Sequence, residues 1–120
     1  MKGKDLDKTR KQLVRQMRRG VLELCVLSAV AQKEAYPSDI IEELKASRLI
    51  VVEGTLYPLL SRLKDQGLLQ YNWKESTQGP PRKYYSITET GRVFLGELME
   101  TWQSLVQAVD HSTQNTNDNE

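Results

Sequence analysis

The chain has 120 residues, of which 38% are hydrophobic and 28% are charged, and this size and composition indicate one globular domain with a modest core. Its longest apolar run is too short to cross a bilayer, its first ten residues lack the apolar stretch of a signal peptide, and its one cysteine excludes an internal disulfide framework. We therefore expect a cytoplasmic protein with no membrane partner.

Positive charge is concentrated at the N-terminus. Residues 1–20 contain eight Lys or Arg and two Asp, a net charge of +6, whereas the remaining hundred residues carry −5. One interpretation is a solvated helix face, and the other is an arm that contacts DNA phosphates, because cations near DNA release condensed counterions. Charge alone favours the solvated face. We assign residues 1–17 to a basic N-terminal helix or arm.

The segment from Arg18 to Lys33 predicts a buried central helix, because apolar residues occupy nearly all of its faces. Cys25 lies within this segment. We expect it to be a small core residue rather than a nucleophile, since the only histidine, His111, is far away in sequence.

Two shorter helices are predicted next. The first should begin near Pro37, since proline suits the first turn of a helix, and it should bury several aliphatic side chains. The second runs from about Glu53 to Gln66 and stops at Gly67, a residue type that is common just after a helix end.

The helix from Glu53 to Gln66 is the candidate for insertion into a DNA groove. Its leucines share one face at helical spacing, so the other faces carry hydroxyl groups and cations that can reach phosphates and base edges. The candidate DNA-contacting residues are Thr55, Tyr57, Ser61, Arg62 and Lys64. The alternative is an ordinary solvated helix surface, because this face is not strongly basic and Asp65 would repel phosphate.

After Gly67 the apolar residues alternate, which predicts a strand through Leu69, Tyr71 and Trp73. The segment Ser76 to Pro81 is a strong turn signal, and a second strand follows from Arg82 to Thr88, so we expect a β-hairpin with a tip of several residues. Arg82 and Lys83 beside the turn make this hairpin a candidate DNA-binding wing. The alternative is a solvent-facing hairpin whose cations protect an edge strand.

A long helix is predicted from its N-cap, Thr88, to about Asp110. Five apolar residues at alternating spacings of three and four form a coiled-coil-like seam, namely Leu95, Leu98, Trp102, Leu105 and Val109. Because the helix is longer than a small domain requires, we expect the seam to pair with a second copy in a homodimer. The two copies of Trp102 would then lie close together and could also enclose a flat aromatic effector.

The order helix, helix, helix, hairpin, long helix predicts a mostly α protein with a small β-hairpin. We assign residues 18–88 to a winged helix-turn-helix domain, 89–111 to a C-terminal dimerisation helix and 112–120 to a disordered tail, which is polar and of low complexity. The sequence has no clustered metal ligands, no Gly-rich phosphate loop and no nucleophile paired with a base. We therefore expect no catalytic site, metal or cofactor.

Four motifs, in this order, resemble the PadR family of bacterial transcriptional regulators. They are EGTLYPLLSRL at 53–63, GLL at 67–69, GPPRKYY at 79–85 and TETG at 88–91. The resemblance covers about residues 18–110, and the single helix after the wing is similar to the smaller subfamily. It implies a dimeric repressor that releases double-stranded operator DNA when an effector binds, phenolic acids and multidrug compounds being effector classes of the family.

By position, the resemblance makes the helix from Glu53 to Gln66 the recognition helix. Thr55, Tyr57 and Arg62 match its DNA-facing motif, Arg82 and Lys83 match the wing, and Trp102 matches an aromatic residue of the dimer-interface drug pocket in some short members. One departure is Val51-Val52, which replaces a polar N-cap and leaves the docking angle of the recognition helix less sharply fixed.

Three functions are open at this point. The first is a ligand-responsive repressor of efflux or stress genes, and the second is a winged-helix interaction module that does not bind DNA. The third is a DNA-binding regulator with no small-molecule effector. The cations at Arg62, Arg82 and Lys83 argue against the second.

Overall fold

The computed structural model of the chain describes residues 2–118, and within them it has four helices and a two-stranded antiparallel sheet. The elements are α1 (Gly3–Gln32), α2 (Pro37–Ala46), α3 (Glu53–Asp65), β1 (Leu69–Ser76), β2 (Gly79–Ile87) and α4 (Glu89–Asp118). This order confirms the predicted fold, a mostly α protein in which a hairpin follows three helices and precedes a long one.

An apolar core holds the three-helix unit and the base of the hairpin together. Leu27 of α1, Ile40 of α2 and Leu60 of α3 are fully buried, and Leu69 and Ile87 close the core from the two strands. Burial of these side chains is the main favourable term in folding. The leucines that the sequence predicted to face inward on α3 are all buried: Leu56, Leu59, Leu60 and Leu63.

The predicted basic arm and the predicted central helix form one continuous helix, α1. Its buried residues begin at Leu24, so its N-terminal half extends away from the core. At about 1.5 Å per residue this half of the helix is roughly 22 Å long. Although α1 and α4 have 30 residues each, neither they nor the other helices in the described residues contain a stretch suited to a membrane span.

Helices α2 and α3 end in the same hydrogen-bonded motif. At the end of α2, the N–H of Leu49 donates to the carbonyl of Leu44 (2.8 Å), and Arg48 has a φ of 63°. At the end of α3, the N–H of Leu68 donates to the carbonyl of Leu63 (3.0 Å), and Gly67 has a φ of 79°. Both are Schellman motifs, and the left-handed residue is the expected glycine only in the second.

The hairpin has a tighter tip than the sequence predicted. Ser76 pairs directly with Gly79, so a two-residue turn joins the strands, and the expected tip of several residues is wrong. Pro80 and Pro81 belong to β2, at the register irregularity between the pairs Lys74–Arg82 and Ser76–Gly79. A bulge tolerates these prolines because the residues there need not donate to the ladder.

Helix α4 begins as predicted and ends later. Thr88 caps it, since its Oγ1 accepts from the N–H of Gly91 at 2.9 Å. The expected end near Asp110 is too early, because the helix continues to Asp118. Residues 112–118 contain neither glycine nor proline to stop it. Residues 119–120 of the predicted tail, and residue 1 of the predicted arm, lie outside the described residues.

The first turn of α4 is tied to the end of α3. The hydroxyl of Thr88 donates to the carbonyl of Gly67 at 2.7 Å. A Cβ at Gly91 would lie 2.1 Å from the carbonyl oxygen of Leu68 and 2.7 Å from Cγ1 of Ile87. Glycine is therefore required at this position, and a displacement of α4 would act directly on the end of α3.

Candidate nucleic-acid interface

Helix α3 lies between two grooves. Thr55 and Arg62 line a cleft of about 440 Å³ between α3 and α1, which we call the α1 cleft. Tyr57 and Ser61 line a groove of about 410 Å³ between α3 and the hairpin, which we call the wing groove. Four of the five predicted contact residues of α3 are thus divided between its two sides, and Lys64 lines neither groove.

The wing groove brings together four of the predicted contact residues. Tyr57 and Ser61 contribute from α3, and Arg82 and Lys83 contribute from β2. A tyrosine phenol is neutral at physiological pH and can donate a hydrogen bond; burial raises the pKa of Tyr57 further, and repulsion from Glu53 adds to the effect. The groove therefore presents hydroxyl donors from α3 beside cations from the wing.

Arg82 and Lys83 leave opposite faces of the hairpin, as alternation along a strand requires. The guanidinium carbon of Arg82 lies 4.7 Å from the ring centroid of Tyr36, at the start of α2. The Nζ of Lys83 lies 4.5 Å from the ring centroid of Tyr71 and 5.3 Å from that of Trp73. Both cations are only half exposed, because these rings cover them. The wing thus holds its cations in place before any ligand binds.

Two of the α3 candidates have partners within the protein. Arg62 forms an ion pair with Glu23 of α1, so a phosphate would have to compete for it. Lys64 lies 3.9 Å from a carboxylate oxygen of Asp65 and 5.8 Å from the ring centroid of Tyr71. Exposed ion pairs of this kind are weak, so neither contact prevents an interaction with DNA.

Sequence reasoning missed two residues of this site, Tyr36 and Glu23. Tyr36 precedes Pro37, and the local sequence indicated only the start of a helix there. The ring of Tyr36 contacts Arg82 of β2, which is distant in the chain. Glu23 lies in the buried half of α1, where only the apolar residues were informative. Both act through long-range contacts that a local pattern does not encode.

The start of α3 has no side-chain cap, as the sequence Val51-Val52 indicated. Val52 occupies the N-cap position with no side-chain hydrogen bond. It is 64% exposed, and the neighbouring Ile50 is 78% exposed. The loop before the recognition-helix candidate therefore presents two aliphatic side chains at the edge of the α1 cleft.

The seam of α4 divides into two parts. Leu95 and Leu98 are partly buried against the core of their own chain, so only part of each side chain can contact a second copy. Trp102, Leu105 and Val109 are exposed, at 40%, 53% and 53%. Other apolar side chains of α4 are also exposed, namely Val93, Phe94, Met99 and Val106.

The other kinds of site to consider are a metal site and a reactive thiol. The described residues contain no group of three His, Cys, Asp or Glu side chains that could hold a metal ion. Cys25 is half-buried beside the core, and burial raises the pKa of its thiol, which disfavours the reactive thiolate.

Comparison with known proteins links this arrangement to a family. The model of the transcriptional regulator PadR-like family matches residues 26–97. A transcriptional regulator from Mycobacterium tuberculosis is 31% identical over 96 residues, which are 80% of this chain and 89% of that protein.

Solved structures give the same result. A PadR-like transcription factor from Bacteroides fragilis is 57% identical with a TM-score of 0.72, and the alignment covers 83% of this chain and 97% of that one. A PadR family transcriptional regulator from Eggerthella lenta is 34% identical with a TM-score of 0.81, covering 89% of this chain and 94% of that one.

Proposed function

Because the chain belongs to the PadR-like family of transcriptional regulators, we propose that it is a homodimeric repressor that binds operator DNA through α3 and the wing. The family consists of transcriptional regulators, so the chain is not an enzyme. The observation that carries the proposal is the wing groove, where the exposed face of α3 meets two cations held by aromatic rings.

In the proposed complex α3 enters the major groove, which is wide enough for a helix. Tyr57, Ser61 and Thr55 donate hydrogen bonds to base edges or phosphates. The wing lies on the adjacent backbone, where Arg82 and Lys83 pair with phosphates or enter a narrow minor groove. Arg62 and Lys64 add phosphate contacts from the flanks of α3 once phosphates replace their weakly bound carboxylate partners.

The homodimer is proposed from the exposed part of the α4 seam. A continuous apolar stripe on a projecting helix is rarely left in water, and a two-fold axis would bring Trp102, Leu105 and Val109 against their copies. Two recognition helices would then face half-sites about one helical turn, roughly 34 Å, apart.

Selection from a random-sequence duplex pool tests DNA binding without a known operator. We expect the wild-type protein to enrich an inverted repeat and to bind it with a Kd of about 10⁻⁸ M or lower. Tyr57→Ala should change the preferred bases within each half-site if the phenol contacts base edges. Failure to enrich any motif, with equal affinity for all duplexes, would favour an interaction module that does not read DNA sequence.

The effector is proposed at Trp102. The indole is part-exposed in the middle of α4, so two copies across the dimer axis would form a flat apolar slot. A ligand in the slot would push the two α4 helices apart. The hydrogen bond from Thr88 to Gly67 would pass this shift to α3 and change the spacing of the recognition helices.

We place the regulated genes among those for efflux or stress responses, and the protein in the cytoplasm.

A dye titration tests the slot. The chain has two tryptophans, so the Trp73→Phe background isolates the fluorescence of Trp102. We expect planar cationic dyes to quench Trp102 and to release the selected duplex. In Trp102→Ala, where dye binding is followed by the fluorescence of the dye itself, we expect both dye binding and duplex release to be lost in a protein that is still dimeric. If release by the dye survives Trp102→Ala, the slot is wrong. If no dye or phenolic acid binds, a regulator without a small-molecule effector is favoured.

A further inference from the structure

The α1 cleft carries three arginines of α1 that the proposed function does not use. Arg15, Arg18 and Arg19 of α1 line it from one side, and Arg62 of α3 lines it from the other. Glu23 is the one acidic residue among the lining residues, and it is paired with Arg62. The cleft is therefore strongly positive.

The three arginines of α1 are free to bind an anion. All three are exposed, and in the described part of the chain no carboxylate lies within ion-pair distance of any of them. They lie outside residues 26–97, the region that matches the family. The match to the family model therefore assigns no role to these arginines.

The position of the cleft relative to α3 points to DNA. A helix in the major groove has a sugar-phosphate backbone on each side. On one side of α3, the wing groove presents Arg82 and Lys83. On the opposite side of α3, where Thr55 lies, the α1 cleft presents its arginines. A duplex seated on α3 would bring its second backbone towards these arginines.

We propose that the α1 cleft is a second phosphate-binding surface, so that the duplex is held on both sides of α3. This proposal rests on the proposed DNA-binding function. The exposed Ile50 and Val52 at the cleft would also suit an apolar partner such as a second copy of the chain. Charge complementarity favours DNA, because two copies of so basic a cleft repel each other, whereas duplex DNA is a dense polyanion.

The test compares two triple variants with the same reduction in charge. The cleft variant carries Arg15→Gln, Arg18→Gln and Arg19→Gln. The control variant carries Lys2→Gln, Lys4→Gln and Lys8→Gln, at the far end of the same helix. Lys8 lies about 10 Å along the helix axis from Arg15, and Lys2 about 20 Å, which equals or exceeds the screening length at physiological salt. All six positions are exposed, and glutamine preserves helix propensity.

The Kd of each protein is measured by fluorescence anisotropy between about 50 and 200 mM salt, on the selected duplex and on a mixed-sequence duplex of equal length. The salt slope falls by about 0.9 for each phosphate that is no longer neutralised, so one such phosphate in each half-site gives about 2 for a dimer. We expect at least this change, with about tenfold weaker binding on both duplexes, for the cleft variant alone. Both duplexes should respond alike because phosphate contacts carry no base information.

Three results would overturn the proposal. Equal salt slopes for the cleft and control variants would show that the arginines act only through net charge. Abolished DNA binding together with dissociation to monomers in sedimentation would assign the cleft to subunit contact. If the wild-type protein binds neither duplex, the proposed function fails as well, which distinguishes that case from a failure of the cleft alone.

Discussion

Arg82 of the wing lies over the ring of Tyr36, with the guanidinium carbon 4.7 Å from the ring centroid. Beside this contact, Ala35 and Tyr85 exchange two backbone hydrogen bonds of 2.9 and 2.8 Å. Tyr36 also contacts Tyr84, at 5.9 Å between ring centroids. The base of the wing is thus fixed to the start of α2, and Arg82 is ordered before DNA arrives, which lowers the entropic cost of binding.

We expect Tyr36→Leu to weaken DNA binding by removing the support of Arg82. A cation–π contact of this exposure contributes about 0.5–2 kcal/mol, which corresponds to a two- to thirty-fold change in Kd. Tyr36→Phe keeps the ring and should bind like the wild type. In an Arg82→Ala background, Tyr36→Leu should weaken DNA binding little further. Anisotropy titrations of the wild type, the two single variants and the double variant give the coupling free energy between Tyr36 and Arg82. An equal weakening in both backgrounds would show that Tyr36 acts independently of Arg82.

Arg82→Ala and Lys83→Ala should each make the salt dependence of binding shallower, by about 0.9 for each phosphate that is no longer neutralised. Because the two side chains lie on opposite faces of the hairpin and share no ring, their effects should add. Lys33→Ala is the matched control, since Lys33 lines a separate cleft beside α2 that carries the acidic residues Glu42 and Glu43. An unchanged slope in the double variant would mean that the wing does not contact phosphate.

Gly91→Ala should destabilise the protein because its methyl group would collide with the backbone carbonyl of Leu68. Overpacking of this kind costs about 1–3 kcal/mol of unfolding free energy. Gly96, on the same helix, has nothing within 4 Å of an added Cβ. Gly96→Ala should therefore stabilise α4 by up to about 1 kcal/mol. Urea denaturation of the two variants measures both, and equal stability of the pair would show that α4 does not pack on Leu68 as described.

The element order, the start of α2 at Pro37, the cap at Thr88 and the leucine face of α3 follow from local signals, so the sequence predicted them. The tip of the hairpin did not follow, because Gly79-Pro80-Pro81 is a turn signal whose placement inside β2 depends on a bulge in the pairing. The division of the α4 seam also escaped prediction. Spacing places five apolar residues on one face, and only tertiary packing shows that Leu95 and Leu98 already contact the chain's own core.

The site was predicted as a set of residues and not as an arrangement. Sequence motifs supplied Tyr57, Ser61, Arg82 and Lys83, which the structure brings to one groove. They could not show that α3 separates this groove from the α1 cleft, because that depends on how α1 crosses α3. The pairing of Arg62 with Glu23 is likewise a tertiary contact with no local signature.

Arg48→Gly should stabilise the protein. Arg48 occupies the left-handed position of the Schellman motif that ends α2, with a φ of 63°, where an L side chain costs about 1–2 kcal/mol. Glycine removes that cost but adds freedom to the unfolded chain, so we expect a net gain of about 0.5–1 kcal/mol. Gly67→Ala, at the equivalent position after α3, should shift stability in the opposite direction. A lower midpoint in urea for Arg48→Gly would contradict this.

The exposed part of the α4 seam should decide the oligomeric state. Leu98→Asp is a poor test, because Leu98 is partly buried against the core and the substitution would disturb the fold itself. Leu105 and Val109 are both 53% exposed, so Leu105→Asp with Val109→Asp leaves the core intact. In a two-fold dimer these aspartates would face their copies, replacing apolar burial with charge repulsion. We expect monomers in sedimentation at micromolar concentration, an unchanged helical circular dichroism spectrum, and weaker binding to a two-half-site duplex.

The control is Gln103→Asp with Gln107→Asp, which adds the same charge. A 100° step per residue places both of these side chains away from the seam, so this variant should remain dimeric. A folded wild-type monomer at the same concentration would exclude the dimer and, with it, the slot between two copies of Trp102.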